Sequence, residues 1–247
     1  MFLSITASNL FDASQGLGIN QATAFTFFVG TMAMMAASAF FFFEIRNVGE
    51  KWRTSILVSG LITFIAAVHY YYMRDYFIQT GTSPTFFRYV DWLLTVPLMC
   101  VEFYLITKKA GATTSLLWKL ILASVVMLVT GFFGEATDRD NSVLWGVISG
   151  AAYFYIAYLV WFGEVATLSQ SAGPSVAKAT RILAWFVLVG WAIYPLGYII
   201  GTPGGLFGAF GSEANNPWMD VVYNIGDAVN KIGFGLVIYT LAKSDAN

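Results

Sequence analysis

The chain has 247 residues, of which 57% are hydrophobic and only 11% are charged, and its formal net charge is −1. A soluble domain carries about 25% charged residues, because its surface must be solvated. The composition therefore excludes a soluble globule, and the weak negative charge excludes an electrostatic partnership with nucleic acid. The single cysteine, Cys100, excludes an intrachain disulfide.

Seven apolar segments of roughly 20 residues follow one another along the chain, each long enough for a helix that crosses a bilayer. A transmembrane β-barrel would instead alternate apolar and polar residues over strands of about 10 residues. The sequence predicts an all-α membrane protein, a seven-transmembrane helix bundle that forms a single domain over residues 1–247. The predicted helices cover residues 20–44, 54–76, 84–107, 115–134, 141–163, 177–200 and 217–242.

Lysine and arginine are distributed unevenly between the two sides of this predicted bundle. Nine of them lie at the connections 1–2, 3–4 and 5–6 or near the C-terminus, against three on the opposite side. By the positive-inside rule, the N-terminus is predicted outside and the C-terminus in the cytoplasm of a multi-pass protein of the cell (plasma) membrane. The nine are Arg46, Lys51, Arg53, Lys108, Lys109, Lys119, Lys178, Arg181 and Lys243, and the three are Arg74, Arg88 and Arg139.

The remaining cation, Lys231, lies in the middle of the seventh predicted helix. An ionisable group at membrane depth is costly and usually functional. Asp227 is four residues earlier, on the same face of the helix, so the two side chains can pair. A lysine that reaches the interface, or a purely structural ion pair, is the alternative interpretation.

The third predicted helix carries a polar stripe formed by Arg88, Asp91, Thr95 and Glu102. At about 100° per residue, all four lie within roughly 60° of one another around the helix. The two acids are separated by about 16 Å along the helix axis. With the predicted orientation, Asp91 lies toward the outside and Glu102 toward the cytoplasm, which is a suitable arrangement for proton sites at two depths. Carboxylates that only hold helices together are the alternative, although Ser, Thr and Asn usually do this in membranes.

These residues, with the runs RYVDWLLTVPL on the third helix and WAIYP on the sixth, resemble a microbial (type 1) rhodopsin. The likeness is greatest to the proteorhodopsins, which are retinal-binding light-driven proton pumps, and it extends over all seven predicted helices. The resemblance implies a light-driven ion transporter rather than an enzyme, and it implies no metal site.

The same resemblance implies a role for each polar residue. Lys231 would carry all-trans-retinal as a covalent, protonated Schiff base. Asp91 would be counterion and proton acceptor, with Thr95 as its hydrogen-bond partner and Asp227 as second counterion. Glu102, protonated at rest, would return a proton from the cytoplasmic side, so that transport is outward.

Arg88 completes a predicted balance of charge in this buried cluster. Arg88 and the Schiff base supply two positive charges, and Asp91 and Asp227 supply two negative charges, so the cluster would be neutral. Asp220, near the predicted extracellular end, could help proton exit, but a solvated loop charge is the preferred interpretation.

The resemblance also assigns the only histidine, His69, and a set of pocket residues. His69 would donate a hydrogen bond to the Asp91 carboxylate and tune when it accepts a proton. Met99 falls at the position that sets colour, where an apolar residue is typical of green-absorbing members. The retinal-pocket rings would be Trp92, Trp191, Tyr194 and Tyr198, although ordinary aromatic packing explains them as well.

Two other functions remain open from the sequence. A sensory photoreceptor would use the same chromophore and signal through a transducer protein, but such receptors commonly lack a carboxylate at the position of Glu102. A retinal-free receptor or transporter could use Lys231 and Asp227 as a ligand site. Relatives form ring-shaped homo-oligomers in the lipid bilayer, so an oligomer is predicted here too. A carotenoid antenna is not expected, because the bulky ring of Tyr153 should close the gap on the fifth helix that admits one in some members of the family.

Overall fold

The computed structural model describes residues 18–201 and 217–244, and these residues are almost entirely helical. Residues 1–17, 202–216 and 245–247 belong to the predicted domain but lie outside the described residues. The α-helices are α1 (Ile19–Glu44), α2 (Arg53–Thr80), α3 (Thr85–Thr107), α4 (Thr114–Phe132), α5 (Ser142–Trp161), α6 (Glu164–Ser171), α7 (Pro174–Trp185), α8 (Ile193–Gly201) and α9 (Pro217–Ser244).

Seven helical stretches of the described chain are long and apolar enough to cross a membrane, which confirms the predicted bundle. The first five begin with α1 to α5, the sixth runs from α7 into α8, and the seventh is α9. Their outward faces are apolar, as lipid requires; Phe43 and Phe154, for example, are 80% and 64% exposed.

Several helix ends differ from the predicted ones. α2 continues to Thr80 rather than residue 76, and it stops where Gly81 takes a left-handed conformation with φ of 67° and donates to Phe77 O. Gly tolerates that conformation, which makes it a common helix terminator. The fourth stretch continues past residue 134 through a π-helical turn, Phe133–Thr137. The sixth begins earlier than predicted because Pro174 occupies the first helical turn, where a missing N–H costs nothing.

The sixth stretch is the least regular part of the described bundle. A π-helical turn, Phe186–Gly190, follows α7, and the N–H of Trp191 donates to Phe186 O at 2.9 Å. Trp191 O then accepts from Tyr194 N at 3.1 Å. Pro195 has no N–H with which to reach Trp191 O, and its ring crowds that carbonyl. The break therefore lies one turn before the proline rather than at it.

The packing order brings three helices of distant sequence together. α1 packs against α2 and α9, and α3 packs between α2 and α4. Small residues allow the close approach of α1 and α2, where Ser38 Oγ donates to Gly60 O at 3.2 Å. As a result, polar residues of α2, α3 and α9 face one another inside the bundle.

Candidate functional site

Lys231 lies between two carboxylates in the centre of the bundle. Its Nζ is 2.7 Å from Asp91 Oδ2 on α3 and 2.9 Å from Asp227 Oδ2, one turn earlier on α9. The side chains of the three residues are at most 2% exposed. A buried cation is tolerated only when it is paired and hydrogen-bonded, and both conditions hold here. The structure thus brings together the lysine and the two acids that the sequence singled out.

The two carboxylates differ in the hydrogen bonds that they receive. Tyr70 OH donates to Asp227 Oδ2 at 2.9 Å, Trp92 Nε1 approaches both Asp227 oxygens at 3.2 and 3.1 Å, and Tyr194 OH donates to Oδ1 at 2.5 Å. Asp91 Oδ1, in contrast, has no hydrogen-bond partner among the described residues. Asp227 is therefore held as an anion by several donors, and Asp91 keeps an oxygen free to accept a proton. Tyr70 was missed in the sequence, where nothing distinguishes it from twelve other tyrosines.

Two predicted partners of Asp91 make different contacts. Thr95 Oγ1 donates to the main-chain carbonyl of Asp91 at 2.8 Å, not to its carboxylate, as threonine in a helix commonly does. His69 Nδ1 is 3.9 Å from Asp91 Oδ1, beyond hydrogen-bond distance, and 2.9 Å from Ile65 O. Thr95 is therefore a hydrogen-bond partner of Asp91, as predicted, but through the main chain. The predicted hydrogen bond from His69 to the Asp91 carboxylate is wrong for this structure, although His69 lies beside it.

Arg88 is buried but directed away from Lys231. Its Nη2 forms an ion pair with Asp220 Oδ1 at 2.8 Å, and Nη1 and Nη2 both donate to Asn224 Oδ1 at 3.2 Å. Asp220 is only 2% exposed, so the preferred interpretation of it as a solvated loop charge is wrong. A signal existed in the sequence: Asp220, Asn224, Asp227 and Lys231 recur at helical spacing on one face of α9.

Glu102 is fully buried on the same helix as Asp91, nearer the other end of the bundle. Ser59 Oγ of α2 donates to its Oε1 at 3.3 Å, and Oε2 has no hydrogen-bond partner among the described residues. Within that part of the chain, no cation lies within ion-pair distance of Glu102. Such an apolar position suits a carboxylic acid that carries its proton.

An apolar cavity of about 590 Å³ extends from the site between the third to sixth spans. Trp92 and Tyr194 line it, and the same two side chains bond Asp227, so the cavity lies beside the side chains that hold the partner of Lys231. Trp191 and Tyr198 also line it, as predicted for the pocket rings, whereas Met99 is buried in the core and is not among its lining residues. An elongated apolar group fits such a cavity.

On α5, the residues that line this cavity include two glycines as well as Tyr153. Tyr153 lines the cavity and donates to Val187 O at 3.1 Å, so it bridges α5 and the π turn of the sixth span. Gly146 and Gly150 lie two turns and one turn earlier on α5, respectively, and line it as well. Tyr153 therefore closes the wall at one level only.

Fold and site together define a multi-pass membrane protein with seven helices around a buried lysine and its paired carboxylates. The chain belongs to the bacteriorhodopsin-like protein family, which it matches over residues 21–244. It is 43% identical to a green-light absorbing proteorhodopsin of Gamma-proteobacterium EBAC31A08, over 99% of this chain and 96% of that one. It is 45% identical to a blue-light absorbing proteorhodopsin of Gamma-proteobacterium Hot 75m4, over 95% and 92%.

A solved structure agrees with the fold. The crystal structure of a blue light-absorbing proteorhodopsin from Med12 superposes with a TM-score of 0.75 at 39% identity, over 90% of this chain and 98% of that one. Membership of this family implies a retinal chromophore, for which the apolar cavity lined by Trp92, Trp191 and Tyr194 offers room.

Proposed function

We propose that the chain, as one unit over residues 1–247, is a light-driven proton pump, and that Lys231 carries all-trans-retinal. The observation that supports this most strongly is the buried Lys231 ammonium, paired with Asp91 and Asp227, next to an apolar cavity whose lining residues Trp92 and Tyr194 bond Asp227. The function of the two proteorhodopsin relatives as light-absorbing proteins agrees with it.

Several residues would hold the chromophore. Lys231 Nζ would form the covalent Schiff base, and the rings of Trp92, Trp191, Tyr194 and Tyr198 would contact the polyene along the cavity. When bound, retinal supplies the absorption of visible light and a photoisomerisation that displaces charge at Nζ. The protein supplies the fixed partners against which that displacement occurs.

Asp91 would accept the proton from Lys231 Nζ. Its Oδ2 is the nearest acceptor, at 2.7 Å, and its Oδ1 has no competing donor among the described side chains. Asp227 would stay ionised, because three neighbouring side chains donate to it. The proton therefore moves toward α3 rather than to the carboxylate on the same helix as the lysine.

Glu102 would restore the proton to Lys231 Nζ from the opposite side. Its carboxyl group is fully buried, and the side chains that hydrogen-bond to it, Ser59 and Ser55, are uncharged. It can therefore hold a proton until charge at the centre of the bundle changes. With the orientation predicted from the cations, this sequence of transfers moves protons outward. Met99 would give the pigment a green rather than a blue absorption.

Light-driven acidification tests the proposal. Cells that express the chain and receive all-trans-retinal should acidify an unbuffered medium when illuminated, and a protonophore should abolish the effect. The matched variant Asp91→Asn should keep a visible band, shifted to the red, and should not acidify the medium. No acidification with a photocycle of seconds would indicate the sensory receptor, and no visible band would indicate the retinal-free alternative.

We further propose that the chain assembles as a ring-shaped homo-oligomer in the bilayer and works without a carotenoid antenna. Tyr153 supports the second statement at its own level of the wall, because its ring bridges α5 and the sixth span. The wall at Gly146 and Gly150 is the place where an added carotenoid would have to enter.

A further inference from the structure

Arg88 and Asp220 form a buried ion pair that the proton transfers described above do not use. The guanidinium is held on several sides, by Asp220 at 2.8 Å, by Asn224 at 3.2 Å, and by the rings of Tyr223 and Phe27 at 5.1 and 5.5 Å. Ser83 Oγ donates to the same oxygen of Asp220 at 2.8 Å. These contacts fix both the position and the direction of Arg88.

The ion pair binds Arg88 to Asp220, a carboxylate that lies two turns away from Asp227 on α9. Asp220 precedes Asp227 by seven residues on one face of α9, which places it about 10 Å further along the helix. Asn224 lies between them and also binds Arg88. The charge of Arg88 is thus directed to the predicted extracellular end and is balanced there by Asp220.

The balance of charge around the site changes as a result. A neutral cluster was predicted from two cations and two carboxylates, but the described residues hold two cations and three carboxylates. Because Asp220 pairs with Arg88, it offsets part of the positive charge that Arg88 would otherwise present to the two acids. The third carboxylate therefore weakens the field that would otherwise keep Asp91 ionised. The two cations are Lys231 and Arg88, and the three carboxylates are Asp91, Asp227 and Asp220.

We propose that Asp220 is a positioning residue that anchors Arg88 and thereby sets the pH at which Asp91 takes up a proton. The inference rests on the proposed pigment, because the colour of that pigment reports the protonation of Asp91. It adds to the pump a residue, outside the retinal site, that controls over which pH range Asp91 can act as acceptor.

Other groups also face the two acids and stay in place in the test. Lys231 and Asp227 of α9, His69 and Tyr70 of α2, and Tyr194 of α8 lie within electrostatic range of Asp91. Near Asp220, the other acid is Glu135, in the π turn after α4, which accepts a hydrogen bond from Tyr89 OH at 2.7 Å. A comparison of variants at position 220 keeps all of them constant.

The decisive experiment is a pH titration of the visible band of the retinal-loaded protein. In Asp220→Asn, the unbalanced guanidinium stabilises the Asp91 anion, so the colour transition should move to lower pH. Loss of a unit charge at the roughly 10 Å that separates Asp220 from the site accounts by itself for about one pH unit, and the release of Arg88 should add to that shift. Asp220→Glu keeps the charge and should titrate like the parent, as should Asp75→Asn, which removes an exposed carboxylate of α2.

A second background shows whether Asp220 acts through Arg88. In Arg88→Gln, the additional change Asp220→Asn should shift the transition only by the direct effect of the lost charge, and therefore by less than in the parent. Equal shifts in both backgrounds, no shift in the parent, or a shift to higher pH would overturn the inference.

Loss of pigment in Asp220→Asn is also informative, since it leaves a buried cation without its anion. Recovery of the pigment by Arg88→Gln would support the pairing, and lack of recovery would contradict it. Failure of the proposed function looks different, because the parent itself would then form no visible pigment or would not acidify the medium.

Discussion

At the scale of single residues, hydrogen bonding distinguishes carboxyl groups that are equally buried. Asp227 receives hydrogen bonds from Tyr70, Trp92 and Tyr194, Asp91 pairs with Lys231 through one oxygen, and Glu102 has only serine hydroxyl groups as partners. Burial alone would give all three the same chemistry. The different partners support the proposed roles of a permanent anion, a proton acceptor and a proton donor.

The role of Glu102 can be tested by Glu102→Gln. The variant should form the pigment and keep the colour titration of Asp91, but the late step of the photocycle should slow by roughly a hundredfold, as expected when a general acid is removed. Flash spectroscopy at several pH values measures that step. Glu50→Gln, an exposed acid before α2, is the control and should decay like the parent. A decay that Glu102→Gln leaves unchanged would remove Glu102 as the donor.

The residues that sequence reasoning found are of types that are rare in apolar segments, whereas those that it missed are of ordinary types. Lys231, Asp91 and Glu102 stand out because a charge in a long apolar segment is rare. Tyr70 became visible only when packing brought α2, α3 and α9 together, since tyrosine is an ordinary residue in this chain. Thr95 and His69 contact main-chain carbonyl groups of their own helices, and the spacing of residues along the sequence does not reveal those contacts.

At the scale of elements, the sixth span shows how a helix break is stabilised from a neighbouring helix. Asn230 Nδ2 of α9 donates to Gly190 O at 2.9 Å, at the end of the π turn. A methyl group at Gly190 would overlap the Asn230 side chain. The residue next to Lys231 is therefore coupled directly to the irregular part of the sixth span.

Gly190→Ala tests this contact. The added methyl group should lower the free energy of unfolding by about 1–3 kcal/mol, the usual cost of overpacking. The second change Asn230→Ala should return part of the loss, because it makes room for the methyl group. Thermal denaturation followed by circular dichroism measures both effects. Gly150→Ala is the matched control and should be tolerated, since a Cβ there meets no atom within 4 Å. Strict additivity of the two changes would contradict the contact.

Sequence predicted the number and approximate position of the spans because their length and hydropathy follow from the bilayer. It did not predict the π turns or the exact location of the break before Pro195. Those details depend on whether a neighbour such as Asn230 can satisfy the carbonyl groups that an irregular helix leaves free.

At the scale of the whole molecule, the orientation in the membrane rests on the distribution of lysine and arginine. Nine cations on one side against three on the other predict a cytoplasmic C-terminus. The direction of pumping depends on this orientation, because Asp91 and Glu102 lie at different depths on α3.

Cysteine labelling in intact cells tests the orientation, and Cys100, the only native cysteine, is buried and should not react. Gln79→Cys, at the exposed end of α2, should react with a membrane-impermeant maleimide. Ser115→Cys, at the exposed start of α4, should react only after the cells are broken open. The reverse pattern would invert the predicted topology and the direction of transport.

The most direct measurement is to locate the attachment of the chromophore. Borohydride reduction of the illuminated, retinal-loaded protein, followed by peptide mass spectrometry, should place a reduced retinyl group on Lys231, and Lys231→Ala should show neither the adduct nor the visible band. A retinyl group on another lysine, or a visible band that persists in Lys231→Ala, would contradict the account.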